Sequence, residues 1–311
     1  MKSLTKHLAS LRKINKLGDY GLVSKIEMGS TIPKVVHLTY YRKSLPTELQ
    51  QNLDKLKSMN PHWEFRLYDD ADIEQYIKQH FPDLLKYYHQ INPIYGAAKA
   101  DFFRYLLIYN EGGFYLDIKS GALKPFDEII QNDDVFILSY WPNEKGLPYE
   151  GAGISSDVPD PLGEFEQWYI ISVKGHPFLK AVIENMCNNI RIYNPFIHHT
   201  ARWGVFTVTG PIAYSLAIAP HLATQPHRLV RSHYDLDLIY SIFSADQVPR
   251  HHGIFKKHYS FINAPIVKQP LLINLILKLY LPTRDGLIDI INQIRKKPTY
   301  KLKKSHIPTV K

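Results

Sequence analysis

Cysteine is nearly absent. A single thiol, Cys187, in 311 residues excludes an intrachain disulfide and a Cys-rich zinc site, and favours a reducing compartment. Long apolar runs are lacking too. The longest, residues 271–281, is interrupted by Asn274 and Lys278 and falls far short of the ~20 residues a spanning helix needs. Residues 1–12 carry positive charge without an apolar core of signal-peptide length, so neither a secretory signal nor a transmembrane segment is expected, and the expected location is cytoplasmic. Repeats and low-complexity tracts are missing, and a composition of 45% hydrophobic and 22% charged residues excludes disordered, collagenous and heptad-repeat classes. Acidic residues are missing from one end: none follows Asp289, whereas Arg295, Lys296, Lys297, Lys301, Lys303, Lys304 and Lys311 do.

What is present is enough chain to bury a full core without covalent staples. The net charge of +9 suits a polyanion, a phosphorylated ligand or an anionic membrane surface equally well. Nucleic acid is not the expected partner, because no nucleic-acid motif occurs and the tyrosines are scattered rather than interleaved with arginine. Residues 1–30 read as a helical or loosely ordered lead-in. Residues 32–40, with Val35-Val36-His37-Leu38, predict a buried strand, and residues 63–68 a second. Asp69-Asp70-Ala71-Asp72 reads as an N-cap for a helix reaching His80. Residues 97–109 lack helix breakers and repeat apolar residues at helical spacing until Gly112-Gly113 stops them; a strand should leave that turn at Phe114. Strands are expected again at 135–140 and 168–173, then a helix over 178–190.

Strands alternating with helices favour an α/β protein with a mostly parallel, doubly wound sheet, whose ligands bind beyond the carboxyl ends of the strands. Past Pro265 the pattern turns helical, with apolar stretches at 271–281 and 287–294 on either side of Pro282. These predict either a helical hairpin packed on the sheet or a surface that docks on a membrane, helped by the basic tail.

The chemistry concentrates in Ala98-Lys99-Ala100-Asp101-Phe102-Phe103-Arg104-Tyr105 and Gly112-Gly113-Phe114-Tyr115-Leu116-Asp117-Ile118-Lys119. Asp101, Arg104 and Tyr105 at i, i+3 and i+4 share one helix face. The double glycine places Asp117 at the end of a strand, in an apolar segment where a carboxylate needs a partner. Paired histidines, His198-His199 and His251-His252, and the single His233 lack a third ligand at known spacing, which argues against zinc. Thr209-Gly210-Pro211 reads as a cap and helix start.

These segments, with Ile32-Pro33-Lys34-Val35-Val36-His37, Asn60-Pro61-His62-Trp63-Glu64-Phe65, Gly175-His176-Pro177-Phe178 and Thr209-Gly210-Pro211, resemble glycosyltransferase family 32. That sugar-binding-region group includes fungal initiating mannosyltransferases, bacterial capsule and lipopolysaccharide transferases and distant clostridial glucosylating toxins. The resemblance spans about residues 31–260. It implies a GT-A, Rossmann-like domain over 31–265, with 266–311 as a helical extension ending in the basic tail. It further implies a nucleotide-sugar donor, a retaining transfer of a hexose or N-acetylhexosamine, and a glycan or lipid-linked acceptor. UDP is the expected nucleotide, and a bacterial-type cytoplasmic enzyme at the inner membrane face the expected setting.

By the same resemblance Asp101 would hold sugar or ribose hydroxyls and Arg104 would sit beside the sugar and phosphates. Tyr40 would stack on the nucleobase, Tyr105, Gly113, Thr209 and Gly210 would line the donor site, and Asp117 would open the Asp-x-Asp motif. The motif departs from pattern at Lys119, where the second Asp should ligate Mn or Mg. An ammonium removes an oxygen ligand and repels the ion. Three readings follow: Lys119 itself meets the phosphate charge, a metal persists on Asp117 and His258, or the protein binds without catalysing. A glycoside hydrolase using Asp101 and Asp117 is disfavoured, because Arg104 and Lys119 are expected to lower both carboxyl pKa values.

Overall fold

The computed structural model describes residues 14–243 and 264–294, the side chains of 284–294 excepted. Strands β1 (Val35–Thr39), β2 (Glu64–Tyr68), β3 (Gly113–Leu116), β5 (Phe136–Tyr140), β6 (Tyr169–Ser172) and β7 (Arg228–Ser232) form a six-stranded sheet in the order β2-β1-β3-β6-β5-β7. The pairings β2/β1, β1/β3 and β5/β7 are parallel, and β6 alone runs antiparallel to both its neighbours, β3 and β5. A two-stranded ribbon, β4 (Gly121–Ala122) with β8 (Leu238–Ile239), lies beside it. The mostly parallel α/β architecture expected from the alternating pattern is present.

Both faces of the sheet are covered, so its inner strands are apolar throughout. In β3, Phe114 and Leu116 join one apolar cluster and Tyr115 the other; in β5, Phe136 and Leu138 point one way and Ile137 the opposite way. Helix α1 (Thr47–Met59) packs Leu49, Leu53 and Leu56 on the first face, and α5 (Phe126–Ile129) follows there. The second face carries α2 (Asp70–His80), α3 (Leu85–Gln90), α4 (Gly96–Glu111), α6 (Pro177–Ile192), α7 (Ala201–Val208) and α8 (Pro211–Ile218). The N-cap of α2 is the expected one, since the Asp69 side chain accepts from Ala71 and Asp72 while Asp72 accepts from the Asp69 main chain.

The densest element is α4, buried on every side from Asp101 to Tyr109. It ends at two glycines that no other residue can replace cheaply. Gly112 has φ +73° and Gly113 φ +98°; a Cβ on Gly112 would lie 2.6 Å from Lys174 N, and one on Gly113 2.7 Å from Val35 O. This close approach seats β3 against β1 and fixes where Asp117 emerges.

Two expectations need correction. The described part of the lead-in, residues 14–29, is neither helical nor loose: Ile14 and Val23 are buried, and the Glu184 carboxylate of α6 accepts from Tyr20 N and Val23 N. The extension is not a hairpin. One helix, α9 (Leu271–Ile294), runs through Pro282, whose fixed φ suits a helix and costs it one main-chain bond. Thr283 bonds its hydroxyl to Leu279 O just beyond.

Candidate active site

The parallel strands deliver their C-terminal ends to one edge of the sheet, and the reversed strand β6 delivers its N-terminal end to the same edge. Tyr40 follows β1, Asp117 follows β3, Trp141 follows β5 and His233 follows β7, while Gln167 and Trp168 precede β6. Helix α4 brings Asp101 and Arg104 to this edge.

Arg104 is the hub. It is 5% exposed, and its guanidinium lies 4.5 Å from the Tyr115 ring centroid. Nη1 donates to Gln167 O (2.7 Å) and Gln167 Oε1 (3.0 Å), and Nη2 lies 3.4 Å from Asp101 Oδ1 and 3.3 Å from Asp117 Oδ1. The helix-face pairing of Asp101 with Arg104 is therefore part of a buried network that reaches Asp117, as the convergence of the two segments predicts.

Asp101 is 3% exposed, and its oxygens accept from Gln167 Nε2 (3.2 Å) and Thr209 Oγ1 (3.0 Å). Burial pushes its carboxyl up to about 6, against the opposing pull of Arg104, Thr209 and Gln167. The expectation that Arg104 would lower this pKa is thus overturned: desolvation outweighs the charge. Each Asp101 oxygen thus already accepts from a protein donor, Gln167 on Oδ1 and Thr209 on Oδ2. It thereby ties Arg104, Gln167 and Thr209 into one network.

Tyr105 is fully buried, its hydroxyl 3.1 Å from Gln167 Oε1 and 2.9 Å from Thr209 O, so it braces the network from behind. Thr209 spends its hydroxyl on Asp101, and Gly210 is the residue that caps α8. Gly210 also lets α8 start close to α7, since a Cβ there would lie 3.0 Å from Val205 O. Tyr40 is 4% exposed, within the core cluster of β1 and α1. The more accessible ring at this strand end is Tyr41, 4.5 Å from Tyr40 between centroids and under the Arg42 guanidinium at 5.2 Å.

Asp117 and Lys119 sit at the accessible rim, their side chains 24% and 13% exposed. Lys119 Nζ lies 3.4 Å from Asp117 Oδ2 and 3.4 Å from Tyr240 O, and 3.6 Å from the Tyr240 ring centroid. Tyr115 donates its hydroxyl to Asp117 Oδ1 at 3.2 Å. A bridging Mn or Mg needs hard oxygen donors clear of competing cations, and here Arg104 and Lys119 already face both oxygens of Asp117. Among the described residues no group of three His, Cys, Asp or Glu side chains is placed to hold a metal. Among the described residues, the donor set around Asp117 does not fit a divalent ion. His258, the other candidate ligand, lies outside the described residues.

Sequence reasoning missed Gln167, which touches Asp101, Arg104 and Tyr105 at once. Its only sequence signal is its place before a predicted strand; the reversed pairing of β6 with β3 that carries it to Asp117 is invisible in local spacing. It also missed the aromatic wall beyond Lys119, where Trp168 and Trp141 pack against Tyr240 at 5.5 and 5.0 Å. His233 is held there by Glu166, with Nδ1 2.6 Å from Oε1, both side chains at or below 1% exposure.

Residues 46–136 match the family described as "Glycosyltransferase sugar-binding region containing DXD motif". Asp101, Arg104, Asp117 and Lys119 all fall within that match. It is 24% identical over 204 residues to inositol phosphoceramide mannosyltransferase 1 of Schizosaccharomyces pombe, covering 64% of this chain and 55% of that protein. It is 34% identical over 150 residues to the initiation-specific alpha-1,6-mannosyltransferase of Candida albicans, covering 45% and 38% respectively. The chain thus spans about half the length, or less, of these relatives. A solved structure, the PaToxG glycosyltransferase, aligns with a TM-score of 0.46 at 16% identity over 71% of this chain and 78% of that one. Both named relatives are fungal mannosyltransferases, and the capsule and lipopolysaccharide setting has no support among them.

Proposed function

We propose that the protein transfers a hexose from a nucleotide sugar to a hydroxyl of a glycan or glycolipid, with retention at the anomeric carbon. The observation that carries this reading is the buried Asp101–Arg104 pair joined to Asp117 and Lys119 at the rim. Such an array presents fixed positive charge where a diphosphate leaving group would gather negative charge. In the transfer, the bond from the anomeric carbon to the diphosphate oxygen breaks and its electron pair leaves with the nucleotide. The acceptor oxygen forms the new bond, and its proton passes to the departing diphosphate. Lys119 Nζ meets the charge that builds on the phosphates, in the place where family relatives put a metal ligand. Arg104, locked by Asp101 and Gln167, keeps Asp117 oriented toward the sugar.

Mannose is the first hexose to try, because the relatives named above are mannosyltransferases. Glycolipid acceptors rank beside glycans, since one of them is named for inositol phosphoceramide. The test is thermal stabilisation by UDP, GDP and CMP and their sugars, each with Mn and with EDTA. A donor at 100 times its Kd adds about 2.7 kcal/mol to the folded state. A shift for one nucleotide class that persists in EDTA is expected. No shift for any nucleotide would leave a binding module without donor chemistry.

A further inference from the structure

Helix α9 has two faces of opposite character. On one, Leu277 and Leu281 are 2% and 3% exposed, Asn274 donates its amide to Gln269 O, and the Tyr280 hydroxyl donates to Phe196 O. On the other, Leu271 (77%), Leu272 (69%), Leu275 (52%), Ile276 (47%) and Leu279 (79%) stand exposed. Their spacing of i, i+1, i+4, i+5 and i+8 gathers them on one side of the helix, opposite the packed residues. A contiguous apolar stripe of this kind marks contact with another apolar phase.

Charge decides which phase. From Lys268 onward the chain has ten basic side chains against two acidic ones, Asp285 and Asp289. Lys268 and Lys278 are exposed at the helix itself. A second copy of this chain would bring the same cationic excess to the contact and be repelled. An anionic lipid surface is attracted by the cations and accepts the leucines. No helix among the described residues is long and apolar enough to cross a membrane, which leaves an orientation in the plane of the surface.

The base of the helix is also fixed to the site. Asn92 N donates to Ile266 O (2.8 Å), Lys268 N to Gln90 O (2.7 Å) and the Tyr95 hydroxyl to Ala264 O (2.6 Å). These anchors lie immediately before α4, which carries Asp101 and Arg104. We propose that α9 lies in the headgroup layer of an anionic membrane, with Leu271, Leu272, Leu275, Ile276 and Leu279 seated toward the acyl chains, and holds the catalytic edge at a set height above the lipid.

The test is sedimentation of the full chain with phosphatidylcholine vesicles, with and without phosphatidylglycerol. Binding is expected to need phosphatidylglycerol and to weaken as salt is raised. Leu275→Glu combined with Leu279→Glu is expected to bind at least ~10-fold more weakly, because both side chains leave the apolar layer. Its thermal midpoint should match that of the parent, since both positions are solvent-exposed. Failure to bind either vesicle, or equal binding by the double variant, would overturn the proposal. So would a dimer in solution that the double variant splits into monomers, which would give the face to a second copy. The readout is lipid binding rather than transfer, so it stands or falls apart from the donor reading.

Discussion

Lys119 reaches back over two residues of chain to place its Nζ 3.4 Å from Asp117 Oδ2, while the Tyr240 ring holds the same ammonium at 3.6 Å. A lysine gripped by a carboxylate and an aromatic face is pre-positioned, and it loses little freedom when an anion arrives. On the reading proposed above, this fixed charge takes the part that a bridging metal plays in other transferases.

On the proposed reading Asp101 acts as the anion that holds Arg104. Its carboxyl is raised to about 6, so donor turnover should fall as pH drops through that value. Asp101→Asn should remove this inflection from the pH profile. It should lower turnover ~100-fold, within the range for losing one preorganised electrostatic partner. The measurement is nucleotide release between pH 5 and 8, read as a log-rate profile.

Thr209→Val keeps the volume of the side chain and deletes the hydroxyl 3.0 Å from Asp101 Oδ2. A buried carboxylate oxygen left without its donor costs roughly 1–3 kcal/mol. Urea unfolding should show that loss at pH 7. At pH 5 the protonated Asp101 needs the donor less, so the loss should shrink.

Gly113→Ala tests the seat of β3 against β1. The new methyl would lie 2.7 Å from Val35 O at a φ of +98°, so steric and conformational costs add. Together they should destabilise by roughly 2–4 kcal/mol, visible as a lowered thermal midpoint. A change under about 0.5 kcal/mol, the usual effect of an unstrained surface substitution, would contradict the geometry.

Glu164 is 5% exposed, and burial raises its carboxyl to about 8. Its folded pKa lies above the usual carboxylate value, so its stabilising contribution is present at low pH and is lost as pH rises toward 8. Glu164→Gln should therefore unfold at a similar denaturant concentration to the parent near pH 4.5 and at a higher one near pH 8.5. The reverse trend would mean that the carboxylate is stabilised in the fold.

What the sequence disclosed was local. The Asp69 cap, the Gly112-Gly113 stop and the i, i+3 pair of Asp101 and Arg104 each act within a few residues, and each stands where its spacing places it. Gln167 and the Trp168–Tyr240 wall depend on the reversed strand β6, a pairing across roughly fifty residues that no periodicity records. The Asp101 pKa was misjudged because charge is legible in sequence and burial depth is not: Arg104 was visible beside it, the sealed pocket was not. Pro282 misled in a similar way, since a proline that breaks helices in isolation is carried through α9.

The most direct test of the site as a whole is nucleotide release from the stabilising donor in EDTA, by the parent chain and by Lys119→Met. If Lys119 supplies the charge that a metal supplies elsewhere, the parent keeps full turnover in EDTA and Lys119→Met loses ~100-fold or more, with its thermal midpoint unchanged. If turnover in the parent collapses in EDTA and returns with Mn, or if Lys119→Met turns over normally, the lysine is not the cation of this site.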